Sequence, residues 1–275
     1  MHYFDAHNHF HDEQFNCLDR SQLLKQLNGL GLRGMVVNGT HPGDWEAVSG
    51  LAERYPEMIL PSFGVHPWEV SRAGVDWERR LMGFLETHEG RVGIGEVGLD
   101  RWMREPDMEG QAALFTRSLA IAAEGNLPMT IHCLRAWGPL LKLLRSNRLP
   151  ARGFLIHSVG ASEETIRELA DLGAYFSVSG PFGDEQKLKY QKALEVIPFD
   201  RLLVETDAPS MLPPREWRPY RTVNKDGEEV THPANILAVY DLVAAHKGIG
   251  LSGICSQVAA NVRAFFGICG DGISS

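Results

Sequence analysis

His2-Tyr3-Phe4-Asp5-Ala6-His7-Asn8-His9-Phe10 is the stretch on which the fold turns. It starts apolar and ends in a polar cluster, as a short buried parallel strand does when its last residues leave the sheet. A doubly wound open sheet that binds a nucleotide places a glycine-rich turn directly after its first strand. Here that place holds Asp5-Ala6-His7-Asn8-His9, so the open sheet lacks its signature.

Working outward, the same pattern recurs seven times. Apolar, β-branched runs bounded by Gly or Pro lie at Gly34–Thr40, Ile59–Pro67, Arg91–Asp100, Pro128–Leu134, Gly153–Gly160, Ala174–Pro181 and Leu202–Pro209. Helical periodicity fills the gaps. Phe115, Leu119 and Ala122 share a face in Gly110–Glu124, and Leu140, Leu141 and Leu144 share one in Trp137–Asn147. Ser162 is placed to cap a helix that carries Ile166, Leu169 and Ala170 inward and stops at Gly173. Ile236, Leu237, Val239, Tyr240 and Val243 mark another helix. Ser252 is the expected cap of a last one, with Ile254, Val258, Val262 and Phe265 inward. Eight β–α alternations in 275 residues come to about 34 residues per unit, the size of a (β/α)8 TIM barrel. The expectation is therefore an α/β chain forming one TIM-barrel domain over residues 1–275. The longest irregular segment is Met211–Pro233, with four prolines and a polar, hairpin-like Asn224-Lys225-Asp226-Gly227. A loop of that length is usually functional.

Composition narrows the function. At 44% hydrophobic and 23% charged residues the chain is globular, not disordered. No run of about 18 apolar residues is present, so no membrane span is expected. A net charge of −8 argues against coating of duplex nucleic acid by bulk electrostatics. A polyanionic substrate would need a local positive feature. Cys17, Cys133, Cys255 and Cys269 form no CxxC, and free thiols in a reducing cytoplasm are expected. The N-terminus has neither a basic nor an apolar leader segment, so no signal peptide is read there.

The active site of such a barrel lies at the C-terminal ends of its strands. Strand one ends in His7 and His9, whose Cβ atoms stand about 6.6–7 Å apart on one side. Strand four carries Glu96, strand five His132, strand six His157 and strand eight Asp207. Imidazole with carboxylate suits Zn, Mg, Mn, Ni or Fe better than a thiolate metal. Four His and two carboxylates exceed one tetrahedral ion and fit two divalent ions sharing a carboxylate. His2, His11, His41, His88, His232 and His246 are read as ordinary histidines.

These residues resemble the TatD family of metal-dependent hydrolases, within the amidohydrolase-type barrels. The resemblance spans nearly the whole chain. Asp5-Ala6-His7-Asn8-His9 is similar to the family's D-x-H-x-H, and Gly64-Val65-His66-Pro67 to its G-[IV]-H-P. Ile94-Gly95-Glu96-Val97-Gly98-Leu99-Asp100 matches its I-G-E-[IV]-G-L-D, the most specific of these signatures. Glu205-Thr206-Asp207-Ala208-Pro209 is similar to its E-T-D-[AS]-P, and Asn261–Gly267 to its closing N-x-x-x-[LF]-F-G. The resemblance implies that His7, His9 and Asp207 hold one ion, that Glu96 bridges, and that His132 and His157 hold the other. It places His66 near a substrate phosphate. Three segments depart from the family. Leu134 stands where Arg is common and Arg135 follows; His157-Ser158-Val159-Gly160 replaces His-Cys-Phe-Ser-Gly; Thr231-His232-Pro233 replaces Asn-x-Pro.

The implied activity is a divalent-metal phosphodiesterase, a deoxyribonuclease acting as a 3′–5′ exonuclease on single-stranded DNA or a DNA end. Asp207 and Glu96 are the expected catalytic carboxylates, with Asp207 as general base. Arg135, Arg101, Trp102, His66 and Glu205 are placed on the substrate side, and Trp68 or Trp102 could stack on a base. The competing reading is an amidohydrolase or esterase of a small molecule using the same ions. Many such barrels bridge their metals with a carboxylated Lys from strand four, and no Lys lies in Arg91–Arg104. No obligate protein partner is evident. The acidic balance then narrows a nucleic-acid substrate to a few phosphates held at the ions.

Overall fold

The computed structural model of the chain describes residues 1–267, so the thiol expected at Cys269 and the last eight residues of the expected domain lie outside the described residues. Eight parallel strands form one sheet in sequence order: β1 Tyr3–Asn8, β2 Leu32–Asn38, β3 Ile59–Phe63, β4 Gly93–Asp100, β5 Met129–Leu134, β6 Phe154–Ile156, β7 Ala174–Val178 and β8 Leu202–Val204. The ends meet through backbone bonds from His9 N to the Ala208 carbonyl (2.8 Å) and from Asp207 N to the His7 carbonyl (3.0 Å). The fold is thus the expected TIM barrel. Strands such as β1 and β4 are buried along their length rather than on alternate residues, because helices cover the outside while side chains fill the inside.

Seven helices connect successive strands: α1 Arg20–Gly29, α2 Trp45–Arg54, α3 Trp77–Thr87, α4 Met108–Gly125, α5 Trp137–Ser146, α6 Glu163–Asp171 and α7 Leu188–Val196. After β8 come α8 Ile236–Lys247 and α9 Leu251–Phe266. Ser162 caps α6 through the Thr165 amide at 3.3 Å. The expected cap at Ser252 is not one. The α9 N-cap is Gly250, and Ser252 sits within the first turn, where its hydroxyl lies too late to reach the free amides. Ile254, Val258, Val262 and Phe265 of that helix are buried as expected. The Met211–Pro233 segment is less irregular than its prolines suggest. Arg221–Val223 (β9) pairs antiparallel with Glu229–Thr231 (β10) around the polar turn, and Gly227 takes φ +80°.

Long-range polar anchors hold the sequence ends onto the barrel. The buried Tyr240 hydroxyl of α8 donates to the Phe4 carbonyl and accepts from the Phe4 amide, each at 3.1 Å. Asn261 of α9 donates to the carbonyls of Phe199 and Leu202 at 2.9 and 2.8 Å, fixing the entry to β8. Both ends of the described chain are therefore tied to the strands that carry chemistry. Cys17, Cys133 and Cys255 are free thiols. No described helix is long and apolar enough to cross a membrane.

Candidate metal centre

Six of the apolar runs continue past their strand into the loop at the barrel mouth, whereas β4 and β5 reach the last residue of theirs. His7, Glu96 and His132 end up on strands, whereas His9, His66, His157 and Asp207 lie just beyond strand ends. All seven side chains are buried or nearly so. The approach of β4 to its neighbours depends on glycine. A Cβ at Gly64 would stand 2.6 Å from the Glu96 carbonyl, and one at Gly98 would run into the His132 backbone.

Glu96 stands at the centre. Its Oε2 faces His7 Nε2 at 3.4 Å and His9 Nε2 at 3.3 Å. Its Oε1 faces His132 Nδ1 and His157 Nε2, both at 3.0 Å, and His66 Nε2 at 3.4 Å. Asp207 Oδ1 closes the first side, 3.3 Å from His7 Nε2 and 3.4 Å from His9 Nε2. One carboxylate thus divides its two oxygens between two sets of imidazoles. Donor atoms of His7, His9 and Asp207 lie within 4.8 Å of one another; so do those of His66, Glu96 and His132, and those of His7, His157 and Glu205.

Electrostatics set what the cluster requires. Burial pushes the Glu96 carboxyl up, but His66, His157 and the hydrogen bonds from His132 outweigh it and hold it well below the usual carboxylate range. Burial likewise opposes ionisation of Asp207, and His7 and His9 reverse the effect. Burial lowers His9 and His157, yet the facing carboxylates raise both well above an ordinary imidazole. Two buried carboxylates therefore demand positive charge, which either protons on the imidazoles or bound cations can supply. His7 makes the case for cations. Its Nε2 is buried without a well-formed hydrogen bond although Glu96 and Asp207 face it at 3.4 and 3.3 Å, and a lone pair aimed there at an ion would satisfy that nitrogen. The residues fit divalent metal, and these buried His, Asp and Glu groups could hold it.

The other expected site residues divide between the cluster and the surface. His66, expected beside a phosphate, sits inside the cluster, its ring centroid 4.6 Å from that of His132. Glu205, expected on the substrate side, is fully buried and lies behind the cluster. Its carboxylate faces His157 Nδ1 at 3.4 Å and accepts the Ser177 hydroxyl. Enclosed in this way it offers no surface and meets the His157 imidazole. Arg135 and Trp102 do stay at the surface, and the guanidinium lies 5.2 Å from the indole centroid. Trp68 is also exposed.

Three supporting contacts escaped the sequence. His9 Nδ1 meets the Asn38 carbonyl at 2.8 Å. Asp5 accepts from the Thr206 amide and hydroxyl at 3.0 and 2.6 Å, joining β1 to the β8 loop, and burial raises its carboxyl to about 7 against those donors. Asp100 faces His132 Nε2 at 3.1 Å. Asp5 and Asp100 stand inside the quoted motifs, and the four-residue spacing of Asp100 from Glu96 places both on one side of β4. That spacing was the signal available for Asp100. Asn38 contributes only a backbone carbonyl, which no residue type announces.

Known proteins are similar to this chain in sequence and in architecture. The "3′-5′ ssDNA/RNA exonuclease TatD" of Erwinia tasmaniensis is 29% identical over 251 residues, covering 91% of this chain and 94% of that protein. The protein of the same name from Citrobacter koseri is 31% identical over 253 residues, again covering 91% and 94%. The crystal structure of YJJV, a TatD homologue from Escherichia coli, superposes with a TM-score of 0.87 at 24% identity, covering 97% of this chain and 98% of that one. A TatD family hydrolase from Entamoeba histolytica gives 0.84 at 18% identity, with 97% and 98% covered. The family model described as TatD related DNase matches residues 4–267, from the strand that bears His7 to just past the end of α9, and this chain belongs to that family.

Proposed function

We propose that this chain is a metal-dependent nuclease that removes nucleotides from the 3′ end of single-stranded DNA or RNA, with two divalent ions at the barrel mouth. The observation that carries the reading is the division of Glu96, with Oε2 toward His7 and His9 and Oε1 toward His132 and His157. On this reading His7, His9 and Asp207 would hold one ion, His132 and His157 the other, and Glu96 both. The relatives named as exonucleases of single-stranded DNA and RNA support the substrate class. When bound, such ions supply a water acidic enough to deprotonate near neutral pH and positive charge opposite the phosphoryl oxygens.

The chain's own residues then have separate tasks. Asp207, which faces His7 and His9 in the cluster, would accept the proton of the attacking water at its carboxylate. Glu205 fixes His157 and Asn38 fixes His9, so neither ring needs to reorganise during the reaction. Trp102 and Arg135, stacked at the rim, offer a π-face to a base and a cation to a phosphate. This gives an acidic chain a local attraction for a strand end without a basic surface.

Oligonucleotides labelled at either end, tested beside a panel of carboxylic esters and amides with and without chelator, decide the matter. The expected outcome is metal-dependent loss of mononucleotides from the 3′ end. Turnover of an ester or amide without attack on any oligonucleotide would favour the small-molecule hydrolase and overturn the proposal.

A further inference from the structure

The β4–β5 register sets His132 opposite Gly98, midway between Glu96 and Asp100. Its ring therefore spans two carboxylates, with Nδ1 3.0 Å from Glu96 Oε1 and Nε2 3.1 Å from Asp100 Oδ2. The same Asp100 Oδ2 accepts the Trp68 indole N–H at 2.7 Å. Asp100 Oδ1 accepts the Trp102 amide at 2.6 Å. Gln111 holds the Asp100 backbone from both sides, its Oε1 accepting the amide at 2.8 Å and its Nε2 donating to the carbonyl at 3.1 Å. Asp100 is itself 0% exposed, so water does not compete for these bonds, whereas Trp68 is 57% exposed. The Trp68 ring stands edge-on to His66, centroids 5.2 Å apart.

We propose that Asp100 is a positioning residue that sets two functional groups from one carboxylate oxygen: the His132 imidazole, turned to present Nδ1 to an ion, and the exposed Trp68 indole, pinned at the mouth as a platform for a base. A carboxylate at Nε2 fixes the proton there and leaves the Nδ1 lone pair for the metal. An exposed indole tethered through its N–H loses rotamer freedom before a base arrives, so less entropy is lost on docking. Metal holding and strand docking thus share Asp100. The docking half rests on the nuclease reading above; the metal half does not.

Mn2+ titration by calorimetry, without nucleic acid, tests the metal half. Asp100→Asn weakens one binding step by about 10–100-fold, while Trp68→Phe leaves both steps within about threefold of the parent chain. An unchanged isotherm in Asp100→Asn overturns the assignment. Long-range 1H–15N spectra of the Zn2+-loaded parent chain keep the test decisive should that variant not fold. The expected His132 signature is a proton on Nε2 with Nδ1 shifted by metal; the reverse overturns it. For the docking half, binding of a phosphorothioate thymidine hexamer in chelator is followed by tryptophan quenching. Both variants weaken it about 10-fold, the scale of one charge-assisted hydrogen bond. Equal affinity in all three proteins overturns the shared-oxygen role. If the parent chain does not bind the hexamer while the Mn2+ and NMR results stand, the docking half falls with the nuclease reading and the metal half is upheld.

Discussion

Glu96→Gln is the sharpest single perturbation of this protein, because it keeps the shape of the side chain and removes only its charge and one acceptor. The two oxygens of Glu96 face different imidazole sets at 3.0–3.4 Å. A glutamine can turn its carbonyl to one set only, and its NH2 then points two hydrogens at nitrogens whose lone pairs a metal needs. A unit positive charge 3.3 Å from the carboxylate loses about 5 kcal/mol of attraction at an effective dielectric constant of about 20. That corresponds to more than a thousandfold in affinity. Displacement of protons from the raised imidazoles offsets part of this, so about a hundredfold loss for at least one ion is the smallest effect consistent with the geometry. Metal content after dialysis, measured by plasma mass spectrometry, should fall from two ions per chain to one or none. Hydrolysis should fall at least a thousandfold. Circular dichroism should not change, because the barrel strands do not depend on this charge. A Glu96→Gln protein that keeps two ions and full turnover would refute the bridging geometry and the function built on it.

Removing metal should also weaken the fold. With ions at a hundred times their Kd, each site adds about 2.7 kcal/mol, so chelation should lower Tm by roughly 5–10 °C per ion in a chain of this size; a calorimetric Tm indifferent to chelator contradicts this. The metal-free protein should also lose stability as pH rises above the ordinary histidine value of about 6.5. His7, His9, His132 and His157 are raised in the fold, so their contribution is complete below the unfolded histidine value of about 6.5 and disappears as pH climbs through the folded values. Glu96 and Asp207 are depressed, so theirs is present above the unfolded carboxylate value of about 4 and is lost on acidification. Urea midpoints across pH, with and without metal, check both limbs: the alkaline loss should shrink when cations replace the protons, and an equally steep loss in the metal-bound chain counts against the scheme. Tyr240→Phe should cost about 2–4 kcal/mol by leaving the Phe4 amide and carbonyl unpaired in the core. Its metal content should not change, and denaturation that matches the parent chain would show that water or another group replaces the hydroxyl.

Much of the site was legible because parallel-barrel strands end where chemistry begins. Apolar runs closing in His7, Glu96, His132, His157 and Asp207 could be aligned without coordinates, since the period of the fold puts every strand end on one face. The motif around Glu96 singled out that residue but not its geometry. Which oxygen meets which imidazole depends on the β4–β5 register and on two glycines that let the backbones close.

The sequence by itself determined the barrel, its strand order and the six residues proposed as metal ligands, because hydrophobic period and residue type are local properties. Only the tertiary structure decided the supporting roles. Glu205 and Asp100 differ little as residues on a strand end, yet one stands behind His157 and the other between His132 and Trp68. The physical reason is burial. A carboxylate that the fold encloses must find donors, and apart from the Trp102 amide beside Asp100 these come from β5 and β7 and from the loops after β3 and β6, segments that are distant in sequence and adjacent only once the barrel has formed.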